Sequence, residues 1–141
     1  MADTRGLKVN KDIYNFESMM YRMYDIIPVK HKHTLSELAL KSSLEMRHYC
    51  NLACKMYKGS THRKAELFSL ALGYCEDVQD SLDHLYDINL LSNKVKSMMD
   101  VELENIREQL SRLMNYFEKA AKGAERSEYA DCGDSINQEE G

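Results

Sequence analysis

The residues able to do chemistry fall into three small groups. Glu45-Met46-Arg47-His48 has the Glu-x-x-His spacing of a carboxylate-bridged di-iron site, in which a glutamate from two helices joins a Glu-x-x-His from each of two others. A second copy is missing, because the residue three before His84 is Ser81. His31-Lys32-His33 places two imidazoles one residue apart, but no cysteine or carboxylate flanks them to complete a metal shell. It reads as a surface loop that gains positive charge as pH falls. Cys50 and His48 are two apart, and residues at that spacing on a helix do not face each other, so they make no nucleophile pair. Cys50, Cys54, Cys75 and Cys132 read as free thiols, packed as small hydrophobes. The expectation is therefore no catalytic residue, no metal and no cofactor.

Cations give a stronger pattern. From Arg22 to Lys64 the chain has nine Lys/Arg against three acids (Asp25, Glu37, Glu45) and four of its five histidines. From Glu76 to Glu104 there are eight acids against Lys94 and Lys96, and from Gly123 onward six acids against Arg126. The net charge of −4 thus hides an oriented distribution. Lys41, His48 and Lys55 recur at heptad spacing, with Arg47, Asn51, Lys55 and Lys58 as an adjoining row. Lys30 and Lys32 precede them and Arg63 and Lys64 follow. A row of cations on a rigid rod matches the charge of a nucleic-acid backbone and gains by counterion release. Tyr21, Tyr24, Tyr49 and Tyr57 lie nearby and can stack on bases, although Tyr49 fits the core. Lysine-rich solvated faces are common on helical proteins, and the bland alternative is a charged scaffold surface.

The elements that would position these residues are helical. With 141 residues, one proline and few glycines, the composition favours helix. In the first helix Ile13, Phe16, Met20, Met23 and Ile27 keep a 3, 4, 3, 4 spacing, and Pro28 ends it. The second opens with a capping box, Thr34-Leu35-Ser36-Glu37. Its inner line is Leu35, Leu38, Ser42, Met46, Tyr49, Ala53 and Met56, and Gly59 closes it. The third starts near Thr61, with an inner line of Leu67, Leu70, Tyr74, Val78, Ser81 and Leu85 beside Ala71 and Leu82. A break at 89–92 follows, where Ser92 caps the fourth. That helix carries Met99, Leu103, Ile106, Leu110, Leu113 and Phe117 and ends near Lys122-Gly123.

Short connections make neighbours antiparallel. The expected fold is all-α, an antiparallel up-down-up-down four-helix bundle over residues 10–122, with an N-terminal arm at 1–9 and a disordered acidic tail at 123–141. No run of about 20 apolar residues is present to span a bilayer, and no apolar signal segment opens the chain. A cytoplasmic protein without membrane contact is expected.

Residues 24–35 (YDIIPVKHKHTL), Ala53, residues 63–67 (RKAEL) and residues 82–94 (LDHLYDINLLSNK) together resemble the Avd family, the accessory variability determinants of diversity-generating retroelements. The resemblance covers about residues 12–120. It implies a four-helix bundle that assembles as a pentameric barrel and binds both nucleic acid and the retroelement's reverse transcriptase, supporting mutagenic cDNA synthesis without being the polymerase. On this resemblance Lys30, Lys32, Lys41, Arg47, His48, Lys55, Lys58, Arg63 and Lys64 are the expected contacts to RNA or DNA.

Overall fold

A computed structural model describes the backbone of residues 7–32, 34–56 and 59–140, and the side chains of residues 8–30, 34–56 and 59–123. Four long helices carry the structure: α1 (Leu7–Ile26), α3 (Leu35–Lys55), α4 (Thr61–Asp87) and α5 (Asn93–Glu140); a single turn, α2 (Val29–Lys32), sits between the first two. No strand occurs among the described residues. Each long helix packs on two others, in the order α1, α3, α4, α5 and back to α1. The arrangement is consistent with a four-helix bundle.

The α1 stripe of Ile13, Phe16, Met20, Met23 and Ile27 is buried throughout. Val9 is fully buried as well, so the helical body takes in the end of the 1–9 arm. On α5, Met99, Leu103, Ile106, Leu110 and Phe117 are buried, with Leu113 packed against them. These large side chains, with Leu67, Phe68, Leu82 and Leu85 of α4, supply apolar burial of the kind that drives folding.

The α3 face differs from the expected one. Leu38 is 53% exposed, and so is Leu70 of α4 at 45%. The buried face of α3 is Ser36, Ala39, Ser42, Ser43, Met46, Cys50 and Ala53. Small residues let the backbones of α3 and α4 approach closely, and these two helices make the most extensive contact in the molecule. Of the expected inner line, Ser42, Met46 and Ala53 lie on this buried face and Leu35, Tyr49 and Met56 pack against the core, so Leu38 alone falls outside it.

The helix ends are settled locally. Ser92 caps α5: its Oγ accepts from Val95 N–H at 3.2 Å, and its carbonyl from Lys96 N–H at 2.9 Å. At the end of α4, Asn89 adopts φ 65°. Its N–H donates to Tyr86 O and Leu90 N–H to Leu85 O, both at 2.9 Å, which is the Schellman closure with asparagine in the left-handed position. Thr34 is the N-cap of α3 but makes no side-chain capping hydrogen bond. The α3 helix ends at Lys55, where Met56 turns extended (ψ 150°), before Gly59 is reached. Helix α5 continues through Gly123 to Glu140 rather than stopping at Lys122. The tail side chains from Ala124 on lie outside the described residues, and with them Cys132 and the expectation for the acidic tail.

Candidate nucleic-acid interface

Helix α3 positions the expected cations, and burial divides them into distinct groups. Lys41, His48 and Lys55 are exposed on its outer face. At 1.5 Å per residue they follow one another at about 10.5 Å intervals. Among the described residues none of the three forms an ion pair. Leu44 and Asn51, half-buried, fill the steps of the same ladder, three or four residues from each cation.

Arg47 sits one row over and is only part of this surface. Its side chain is 39% exposed, and Nε forms an ion pair with the carboxylate of Glu17, which is 10% exposed, across the α1–α3 seam. Much of its charge is thus already answered within the fold. Arg63, at the start of α4, donates from a guanidinium nitrogen to Glu66 at 2.9 Å. This pair is exposed on both sides and worth little to stability, so Arg63 remains able to exchange partners.

Lys64 is not on the surface. It is 2% exposed, and its Nζ lies 5.1 Å from the centroid of the Phe117 ring, a cation–π arrangement inside the α4–α5 seam. Phe117 also stacks on Phe68, at 5.7 Å between centroids. Lys30 is exposed beside the α2 turn, whereas Lys32 and Lys58 lie outside the residues with described side chains.

Of the tyrosines, Tyr49 stacks on Tyr74 of α4 with centroids 5.6 Å apart and planes 7° from parallel. Burial, with the charges of Glu45 and Asp77 nearby, raises the Tyr74 pKa. Tyr21 is 48% exposed, and so is a tyrosine the sequence reading passed over, Tyr14, at 62%. Tyr14 and Tyr21 are a heptad apart, the same signal that marks the cation row.

The potential reactive groups remain separate. Cys50 and Cys75 are buried and Cys54 is half-buried, and none of the three is in a disulfide. A hydrogen bond with Cys54, together with burial, pushes the Cys50 thiol far up; burial pushes Cys75 up to about 12. Neither is a thiolate at neutral pH. Glu45 and His48 lie toward the outside of α3, away from the bundle core where a di-metal site would be built. Among the described residues no group of three or more His, Cys, Asp or Glu is placed to hold a metal ion, and no helix is long and apolar enough to cross a membrane.

The acidic segment is partly neutralised by its own lysine and arginine. Lys96 reaches Asp83 at 2.8 Å and Asp100 at 2.6 Å, and Gln79 donates to both of those carboxylates at 2.9 Å. Despite burial, these bonds lower the Asp83 pKa and raise that of Lys96. Arg107 pairs with Glu104 and approaches Glu76 at 4.0 Å. Asp77, Asp80 and Asp87 stay exposed. The molecule therefore shows a cationic ridge on α3 and an anionic patch on α4. No protein-family model matches the chain, and no curated protein does.

Proposed function

We propose that this protein is an Avd-like accessory factor of a reverse transcriptase, which holds template RNA on the outer face of α3 and contributes no reactive centre. The observation that carries the reading is the row Lys41, His48 and Lys55, exposed on the outer face of α3 without ion-pair partners among the described residues. Phosphate contacts of this kind position a nucleic acid without reading its bases. Lys30 of α2 and Arg63 of α4, both exposed, add positive charge, and Arg47 contributes its exposed edge.

The reading includes an antiparallel up-down-up-down course. Asp12 of α1 bonds Asn105 and Gln109 of α5, while Met19, Met23 and Ile26 share a groove with Val95 and Met98. Rising numbers on α1 meet falling numbers on α5, which supports that course. It also includes assembly into a pentameric barrel, which the family resemblance implies, and work in the cytoplasm alongside the reverse transcriptase.

The test is RNA binding by fluorescence anisotropy across a salt titration. The logarithm of affinity falls linearly with the logarithm of salt, and Lys41→Gln with Lys55→Gln makes that line shallower by about 1.4 to 1.8, at roughly 0.7 to 0.9 per lost phosphate contact. An unchanged slope removes the assignment of α3. Lys41 is a cleaner target than Arg47, whose loss would strand the Glu17 carboxylate.

The exposed acids Asp77, Asp80 and Asp87 favour a second reading, an oligomeric scaffold whose α3 ridge meets the α4 patch of another copy and binds no nucleic acid. Light scattering with and without RNA separates the two. Stoichiometric uptake of RNA by the oligomer at physiological salt rejects the scaffold.

A further inference from the structure

Two unlike rows of side chains flank the α1–α3 seam. The Glu17–Arg47 ion pair lies between them. Tyr14 and Tyr21 are three residues before and four after Glu17, which sets them on its side of α1. Both rings are exposed, at 62% and 48%. Leu44 and Asn51 stand in the same relation to Arg47 on α3, and each is also a helical neighbour of His48. One flank of the seam is thus aromatic, and the other leads to the cationic crest. Because Glu17 and Arg47 pair with each other, they offer a phosphate little net charge. Asp25, four residues beyond Tyr21, and Glu37, four before Lys41, add negative charge only toward the end nearest the α1–α3 connection.

From these features we infer that this α1–α3 face binds single-stranded nucleic acid, with bases stacked on Tyr14 and Tyr21 and phosphates along Lys41, His48 and Lys55. The inference rests on the nucleic-acid reading above and narrows it to one strand class. A duplex keeps its base faces inside its own stack, so exposed tyrosines offer it nothing; a single strand has faces to give. The dimensions agree. The two tyrosines are separated by about 10.5 Å along the axis, roughly three base steps at 3.4 Å each. The crest runs parallel to them and for about 21 Å, long enough to follow the same strand.

The experiment compares a labelled oligouridylate with an RNA duplex of equal length, using the full chain. Tyr14→Ala with Tyr21→Ala weakens single-strand binding at least about fivefold and leaves both the salt slope and duplex binding unchanged, because stacking releases no counterions. Tyr14→Phe with Tyr21→Phe keeps wild-type affinity, since the ring face remains. Circular dichroism verifies the fold, and Leu at both positions replaces Ala if Ala lowers helicity. If the protein binds RNA but the tyrosine variants bind as wild type, or duplex is bound as tightly as single strand, the inference is overturned and the phosphate-binding role of α3 stands. If wild type binds neither probe at low salt, both fall.

Discussion

Where α3 meets α4, the α3 face buries serines, alanines and a cysteine around one large side chain, Met46, while α4 buries Leu67, Phe68, Leu82 and Leu85. Between α1 and α5 the chain places methionines at one end and a carboxylate network at the other. There Asp12 accepts from Gln109 at 2.7 Å, Asn105 at 3.0 Å and Lys8 at 3.1 Å. Met19, Met23, Ile26, Val95 and Met98 line a shallow groove of about 220 Å³ near the far end. The α3–α4 seam is the most extensive of the four, and the α1–α5 seam the least. Small residues hold two helices by proximity, with dispersion contacts that pH does not alter. A thin seam with a shared carboxylate holds by hydrogen bonds that depend on protonation, and its flexible methionines pack adaptably. Helix α1 is therefore the element whose attachment conditions can tune, and it carries the Tyr14 and Tyr21 row that flanks the α3 ridge.

Substitutions can break or sharpen this contrast, and the largest effect belongs to the tight seam. Met46→Ala removes the only large buried side chain that α3 supplies and lowers unfolding free energy by about 2–5 kcal/mol in urea denaturation. Ala53 lies on the Tyr49 face that stacks against α4. Ala53→Leu overpacks it and costs about 1–3 kcal/mol; a neutral result would mean the seam has slack and the contrast is false. Smallest is the loss at the thin seam. Asp12→Ala costs about 1–2 kcal/mol.

Asp12 also gives the thin seam its pH dependence. Burial opposes its ionisation, but bonds from Gln109, Lys8 and Asn105 prevail and hold its pKa below 3.8. Its contribution is complete above that unfolded value and is lost as pH falls through the lower folded one. Stability of the wild type thus declines more steeply below about pH 4 than that of Asp12→Ala, measured as urea midpoints over an acid series. Parallel curves would show that Asp12 is not the acid-sensitive latch.

Much of the fold is written locally. The 3 and 4 spacing on α1 and α5 selects their buried stripes, because large apolar side chains on one face leave a helix a single way to shed water. Ser92 and Asn89 mark their turns through hydrogen bonds made within a few residues. The Lys41, His48 and Lys55 ridge is legible for the same reason: a heptad repeat keeps charges in line, whatever surrounds them. Tyr14 carried the same heptad signal with Tyr21, but it lies outside the basic segment that drew attention.

Neighbours decided the rest. The face of α3 turned on which side of it α4 could approach, and the answer favoured small residues over Leu38. In sequence Arg63 and Lys64 look alike, yet successive helical positions differ by about 100°, so one reaches solvent and the other lies over Phe117, which is more than fifty residues away. Arg47 looked like a free cation until Glu17, from another helix, stood beside it. Periodicity fixes which side chains share a face, because it depends only on backbone geometry. Whether a charge on that face meets water, a ring or a carboxylate depends on residues far along the chain, and only packing brings those together.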